Sequence, residues 1–476
     1  MNNKLFGGLL LSFTVLCSAF AVFYFFSSSD NTSVERSMQS QKSKINDLKT
    51  KTQSGGRDLE LGTVLKSQSE VSDEPSALFN DPAIKQAWGL KKSDAGRAWS
   101  VSRGDKKVIV AVIDTGLDIN HEDLKNNLWK NPGETGLDAQ GRNKATNGID
   151  DDGNGLVDDI YGWNFVSNNN KLDDNHGHGT HIAGIIGAEA GNKKGISGIS
   201  PDVSLMILKY YDPKVPNTDN LKNTIKSIDY AVKMGAHIIN YSGGGTEYSQ
   251  EEHDAVERAQ EKGVLFVAAA GNERSNSDEH HYYPADYKLS NIISVTAIDP
   301  TTTVLSSSNY GTETVDIAAP GQGILSCLPN STYGLMTGTS QATAFVTGAA
   351  VLVTAHKDLY NQPDEIKKFI LATGDSSETL ANKTRTSRQL NLFKALTILE
   401  NSTTASGLKI KDIQDKSAFS AKTLDSIDPN DKNQQEVNRL SSFGHDLIKA
   451  LGSGKRELKK SNSPRLGSKE DPNNEN

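Results

Sequence analysis

Four widely separated side chains in this sequence could together carry out acyl transfer: Asp114, His178, Asn272 and Ser340. Ser340 opens the run Gly338-Thr339-Ser340-Gln341-Ala342-Thr343-Ala344-Phe345-Val346-Thr347-Gly348, which stays largely apolar through Val353. A run apolar on every side reads as a buried helix. Ser340 falls in its first turn, where unpaired N–H groups and the positive dipole end favour a forming negative charge. A serine hydroxyl is a weak nucleophile at neutral pH and needs a base. His178 can take its proton and later pass it to a leaving amine; Asp114 can fix the imidazole tautomer; the Asn272 amide can hold an oxyanion. Each residue alone has a plainer reading. Ser340 could cap its helix, and Asp114 and Asn272 could be turn formers after strands. His176, His178 and His181 could bind zinc, although no HExxH order accompanies them.

Residues this far apart in the chain need strands and helices to bring them together. Lys107-Val108-Ile109-Val110-Ala111-Val112-Ile113 is a β-branched run that reads as a strand buried on both faces. Similar runs follow at 203–208, 237–240 and 264–270, with helical patterns at 221–234 and 250–262 between them. That alternation predicts an α/β fold: a doubly wound, mainly parallel sheet with helices on both faces. Asp114, Ser242 and Asn272 lie just past the carboxyl ends of three strands, the edge where open parallel sheets bind ligands.

The segments Val112-Ile113-Asp114-Thr115-Gly116, His178-Gly179-Thr180-His181-Ile182-Ala183-Gly184, Ala269-Ala270-Gly271-Asn272 and Gly338-Thr339-Ser340-Gln341-Ala342-Thr343, in that order, resemble the subtilisin-like serine proteases, the subtilases. The likeness spans about residues 81–399. The order Asp, His, Ser differs from that of the α/β-hydrolases, and position 342 is Ala342 where their G-x-S-x-G motif needs glycine. The resemblance implies a serine endopeptidase acting through an Asp114–His178–Ser340 triad and an acyl-enzyme intermediate, with Asn272 and the Ser340 N–H holding the oxyanion. It implies that His176 and His181 only support the site. It also implies that Ser242, Gly243 and Gly244 pair with an extended peptide, opposite a wall in which Asp212-Pro213-Lys214-Val215-Pro216-Asn217-Thr218 puts prolines where a pairing strand needs donors. Ala270, Gly271 and Tyr282 would line the first specificity pocket, made shallower because Tyr282 stands where many members have glycine; Glu273 would lie at its rim. The alternative function is a non-catalytic peptide-binding member of the same fold.

Asn147 to Asp159 contains Asp150, Asp152, Asn154 and Asp158 at positions one, three, five and nine of an EF-hand-like loop, with Gly155 at the turn. Position twelve is Tyr161 rather than Glu, so the loop is either a partial Ca²⁺ site or an acidic surface turn. The resemblance implies a second Ca²⁺ site on Asp123 and Asn192, completed by carbonyls near Ala190, Lys194 and Ile196.

The chain has 476 residues and a formal charge of −8. No basic stripe points to nucleic acid. Leu5 to Phe26 is an almost unbroken apolar run after Lys4, long enough to span a bilayer. It reads as an uncleaved signal-anchor rather than a cleaved signal peptide, and either predicts export. The only cysteines are Cys17 and Cys327, so the exported domain has no internal disulfide. The expected organisation is a signal-anchor or signal peptide over 1–30, a polar linker over 31–80, a catalytic domain over 81–400 and a polar tail over 401–476. Short helices are predicted at 43–51 and 434–451.

Overall fold

The structure, a computed structural model, describes residues 80–398. The apolar run 5–26, the linker, the tail and both short helices predicted within them lie outside those residues. Among the described residues no helix is long and apolar enough to cross a membrane.

Nine strands form one sheet: β1 (Gly104–Asp114), β2 (Gly162–Asn164), β3 (Asp202–Lys209), β4 (Ile238–Tyr241), β5 (Leu265–Ala269), β6 (Ile292–Ile298), β7 (Ile317–Pro320), β10 (Asp375–Ser376) and β11 (Arg388–Gln389). Their order across the sheet is β10-β11-β7-β6-β5-β4-β1-β3-β2. All neighbours run parallel except β10 and β11. A separate antiparallel hairpin, β8 (Ile324–Leu328) with β9 (Thr332–Met336), precedes the helix that carries Ser340. The chain belongs to the doubly wound class expected from its strand runs.

The period-two rule for strands is visible in how the sheet divides its side chains. Val108, Val110 and Val112 of β1, Val203, Leu205 and Ile207 of β3, and Leu265 and Val267 of β5 share one apolar cluster with Ile182 and Ile186 of α3 (His178–Gly187) and Phe345, Val346 and Val353 of α6 (Thr339–Lys357). Ala111 and Ile113, Met206 and Leu208, and Phe266 and Ala268 point the other way. They pack with Ile228 of α4 (Asn220–Lys233) and Ala255 and Val256 of α5 (Gln250–Glu261). A strand sandwiched between two helical layers must be apolar on both faces, which is why these runs lack alternation.

α6 is buried from Thr339 to Thr354, as its uniform apolarity predicts. It crosses β1 and β4 to β7, so the start of one rigid helix is fixed against the ends of several strands. Two short helices, α1 (Trp88–Lys92) and α2 (Ala95–Ala98), anchor the start of the domain on the core: Leu90, Ala95 and Trp99 are buried, and the Trp99 Nε1–H donates to the Ile199 carbonyl at 2.8 Å. Pro363–Thr373 (α7) and Leu392–Thr397 (α8) complete the helical set among the described residues.

Sheet order reverses at β1, with β4 on one side and β3 on the other. At such a switch the loops after neighbouring strands part and leave a cleft at the carboxyl edge. Asp114 ends β1, Ser242 follows β4 and Asn272 follows β5, and all three face that edge.

Candidate active site

β1 and α3 meet through a polar clamp. Asp114 Oδ1 and His178 Nδ1 are 2.8 Å apart, and both side chains are almost wholly buried. Such an approach needs the end of β1 and the first turn of α3 to be nearly in contact. Gly179 permits it: a Cβ there would stand 2.1 Å from the Gly116 carbonyl oxygen and 3.1 Å from Asp114 Cβ. Asp174, which the sequence reading did not single out, ties the two segments together. Its Oδ1 accepts from Thr115 Oγ1 at 2.8 Å and from the Gly177 N–H at 2.7 Å, and its Oδ2 accepts from the Thr180 N–H at 2.9 Å and Thr180 Oγ1 at 2.7 Å. Asp174 thus caps α3, whose own N-cap residue, Gly177, has no side chain to do so. An acid a few residues ahead of a helix start is a readable capping signal.

Burial pulls His178 toward its neutral form, but the Asp114 charge and hydrogen bond, with Asp174 behind them, outweigh it and raise the pKa above the ordinary histidine value. His178 Nε2 is buried and has no hydrogen-bond partner. The other two histidines behave differently. His181 is buried with Nε2 facing the carbonyls of Ile324 at 3.0 Å and Gly334 at 3.2 Å, and burial takes its pKa down to about 3. Burial, and then the neighbouring His178, also lowers His176. His181 is thus spent on the β8–β9 hairpin rather than on a shared metal.

Ser340 is the second residue of α6 and donates from Oγ to the Ser242 carbonyl at 3.3 Å, a long contact that leaves the hydroxyl free to reorient. Asn272 Oδ1 accepts from the Thr339 N–H at 3.1 Å, which seats the amide against the helix start beside Ser340. A chain of contacts supports this corner: Thr347 Oγ1 donates to Asn240 Oδ1 at 2.8 Å, and Asn240 Nδ2 donates to Ser242 Oγ at 3.2 Å. The arrangement holds a nucleophile, an imidazole with an orienting carboxylate, and an amide at a helix N-terminus, the parts needed for acyl transfer.

Ser242, Gly243 and Gly244 continue from β4, and Ala270 and Gly271 from β5, so the two segments leave the sheet side by side. Tyr282 is buried against both. Glu273 sits beside them, held by Asn309 Nδ2 at 2.8 Å and shifted by burial toward its protonated form. The facing segment 212–218 contains no strand, as its two prolines suggest. Asp212 anchors it by accepting from the buried Lys209 Nζ at 2.7 Å and Asn175 Nδ2 at 2.8 Å.

Of the predicted metal ligands, Asp150 and Asp158 turn to backbone donors: Asp150 takes the N–H groups of Gly153, Asn154 and Gly155, and Asp158 takes that of Gly148. Asn154 Oδ1 accepts from the Leu156 N–H at 2.8 Å. Asp152 instead converges with two residues the sequence reading missed, Glu134 and Asp159, with carboxylate oxygens within 4.8 Å of one another. Glu134 is buried and its Oε2 has no partner, but Asn131 and Asn154 Nδ2 donate to both Asp152 and Asp159 and the Tyr230 hydroxyl donates to Asp159, so a hard cation at this all-oxygen set would need those donors turned away. Asp123 is also fully buried, but Asn192 offers it Nδ2 at 2.7 Å, Tyr333 donates its hydroxyl at 2.8 Å, and the Ile196 N–H donates at 3.1 Å. That set is closed by protein donors, and a cation there would need the Asn192 amide turned and Tyr333 withdrawn. Asp81 joins the same 190–197 loop, accepting from the Gly191 and Lys193 N–H groups and Ser197 Oγ.

A model of the subtilase family matches residues 105–405. The chain is 34% identical over 277 residues to thermitase of Thermoactinomyces vulgaris, covering 58% of this chain and 85% of thermitase. It is 33% identical over 307 residues to subtilisin-like protease 2 of Plasmodium falciparum, covering 63% of this chain and 21% of that protein. It is 32% identical over 313 residues to subtilisin-like protease 1 of Plasmodium berghei, covering 61% and 51%. The match thus spans from a fifth to about half the length of the two Plasmodium relatives. A solved structure of a protease from Pseudoalteromonas arctica superposes with a TM-score of 0.53 at 23% identity, over 67% of this chain and 98% of that one, a likeness of fold.

Proposed function

Because this chain belongs to the subtilase family, we propose that it is an exported serine endopeptidase that cleaves polypeptides through Asp114, His178 and Ser340. The observation that carries the reading is the buried 2.8 Å contact of Asp114 with His178 Nδ1, which leaves Nε2 as the unpartnered ring nitrogen. With Nδ1–H donated to Asp114, Nε2 is the basic nitrogen that takes the Ser340 proton as Oγ attacks the scissile carbonyl. The imidazolium then protonates the leaving amine, and an acyl-enzyme remains. Water enters on the same path, with His178 again as base. The developing oxyanion takes hydrogen bonds from the Asn272 amide and the Ser340 N–H at the α6 N-terminus. The peptide runs along Ser242–Gly244 by strand addition. Export rests on the apolar run 5–26 and makes the membrane a partner. The rival reading, a peptide-binding member without catalysis, predicts an equally ordered cleft but no turnover. Incubating the full chain with an unfolded protein substrate tests the two. New peptide termini from wild type and none from Ser340→Ala are expected; equal inertness of both would leave only the binding reading.

Replacing Asn272 by Ala is expected to cost about a hundred- to a thousandfold in kcat, a magnitude taken from the family's namesake, with KM little changed. The split follows because the amide meets charge that exists only in the transition state. A large rise in KM with kcat intact would remove Asn272 from this role.

We further propose Ca²⁺ as a structural ligand of Glu134, Asp152 and Asp159, which it would relieve of mutual repulsion. Both this set and the one around Asp123 and Asn192 would take the cation only after their protein donors turn away. Since the cation would bind the folded loop alone, it adds about 2.7 kcal/mol at a hundredfold excess over its dissociation constant. Thermal unfolding of the Ser340→Ala chain, which cannot digest itself, should therefore shift upward with Ca²⁺ relative to chelator. Coincident curves would reduce the loop to an acidic turn.

A further inference from the structure

The gap between the segments that follow β4 and β5 is filled from within by one side chain, and this bears on which peptide bonds the proposed active site accepts. The acyl carbon must lie on Ser340 Oγ, its oxygen toward Asn272 and the leaving amine toward His178. The resemblance to the subtilases then implies that the side chain of the residue supplying the scissile carbonyl enters between Ser242–Gly244 and Ala270–Gly271. Both walls are glycine where they face each other. A Cβ at Gly244 would stand 2.5 Å from Tyr282 Cε1 and 2.9 Å from Cζ. A Cβ at Gly271 would stand 2.9 Å from Tyr282 Cδ2. Cδ2 and Cε1 are opposite corners of the ring, so the phenol bridges the slot from one wall to the other. Glu273 Oε2 and Asn309 Nδ2 crowd the Gly271 side further, each 2.5 Å from the same hypothetical Cβ.

The ring is buried, and the backbone that carries it is held on both sides. Tyr282 is 5% exposed. Its N–H donates to Asp286 Oδ2 at 2.7 Å, and its carbonyl accepts from the Asp286 N–H at 3.0 Å. His281 places Nδ1 3.4 Å from the same carboxylate oxygen. The next residue, Tyr283, exchanges a pair of backbone hydrogen bonds with Gly245, at 2.7 and 2.9 Å. Both peptide groups flanking Tyr282 are therefore pinned, one by a buried acid and one by the very segment that forms the opposite wall.

Resting on the serine endopeptidase reading, we infer that Tyr282 closes the slot and restricts cleavage to bonds whose carbonyl comes from a small residue, glycine, alanine or serine. A larger side chain would need the buried ring displaced from between Gly244 and Gly271, on a backbone that the Asp286 and Gly245 hydrogen bonds keep from shifting, in a packed site where even a few extra methylenes are costly.

The test uses the full chain and peptides that differ only at the residue supplying the scissile carbonyl: Gly, Ala, Ser, Leu or Phe. Wild type should cleave the alanine peptide about a hundredfold or more faster, by kcat/KM, than the phenylalanine peptide. Tyr282→Gly and the milder Tyr282→Ala should each narrow that ratio at least about tenfold, through a gain on phenylalanine and leucine. Labelling by a fluorophosphonate, run on every variant, reports a folded and reactive site. A label-competent wild type that prefers phenylalanine or leucine overturns the inference while the protease reading stands. So does a label-competent Tyr282 variant with an unchanged ratio. A folded wild type that takes no label overturns both.

Discussion

Exchange of Ser340 for alanine is expected to lower kcat by about a millionfold, roughly 8 kcal/mol of lost transition-state stabilisation, with the magnitude taken from the family's namesake. The loss is large because alanine removes the nucleophile itself. Ser340 Oγ is set at the α6 N-terminus beside Asn272, and His178 Nε2 is without a hydrogen-bond partner among the described residues. Folding should survive, since Oγ makes only the 3.3 Å contact to the Ser242 carbonyl, worth about 1 kcal/mol or less. Peptide binding along Ser242–Gly244 should survive too. Steady-state kinetics beside a melting curve separate these effects: turnover gone with an unchanged melting temperature fits the assignment. A loss below about tenfold would show that Ser340 is no more than a helix-start residue.

Replacement of Asp114 by asparagine is expected to cost about ten-thousandfold in kcat. Shape is preserved, so the loss is one of tautomer and charge. An asparagine amide can present its N–H to His178 Nδ1, which then serves as acceptor and forces the proton onto Nε2, the nitrogen that must be vacant. The same substitution changes the pH profile, with a sign fixed by the electrostatics. Burial alone lowers the His178 pKa, and Asp114 is the main reason it lies above the ordinary value. Activity requires neutral His178, so wild-type kcat/KM should fall as pH drops through a value above the usual histidine pKa of about 6.5. In Asp114→Asn the limb should move to lower pH, because the opposing burial remains. A limb that stays in place, or a variant with near-normal kcat, would detach Asp114 from the histidine's chemistry.

The sequence carried the reaction centre further than it carried the surroundings. Asp114, Ser242 and Asn272 could be placed at strand ends because the β-branched runs before them lack polar interruption, and Ser340 because sixteen consecutive buried residues of α6 leave no polar face. β6 escaped notice because Ser294 and Thr296 break its apolar run. Both are buried, with the Ser294 N–H on Asp316 Oδ2 and Thr296 Oγ1 on the Asn309 carbonyl, contacts that only the fold creates. Asp174 is legible in the sequence only as a cap for α3; its tie to Thr115, 59 residues earlier and just past the end of β1, exists only in the fold. The acidic loop shows the same limit. Spacing along the chain nominated Asp150, Asp152, Asn154 and Asp158, yet local Asx turns claim Asp150 and Asn154, and the oxygens that converge on Asp152 come from Glu134 and Asp159. Tyr282 could be named in advance as an obstruction, but that it bridges two glycine walls emerges only from the paired ends of β4 and β5.

The most direct measurement is intact mass spectrometry of the full chain after exposure to a fluorophosphonate, followed by peptide mapping. A single adduct per chain, located on Ser340 and reduced when Asp114 is replaced by asparagine, is the predicted result. A folded chain that stays unmodified, or one modified at a residue other than Ser340, would contradict the assignment of Ser340 as the nucleophile.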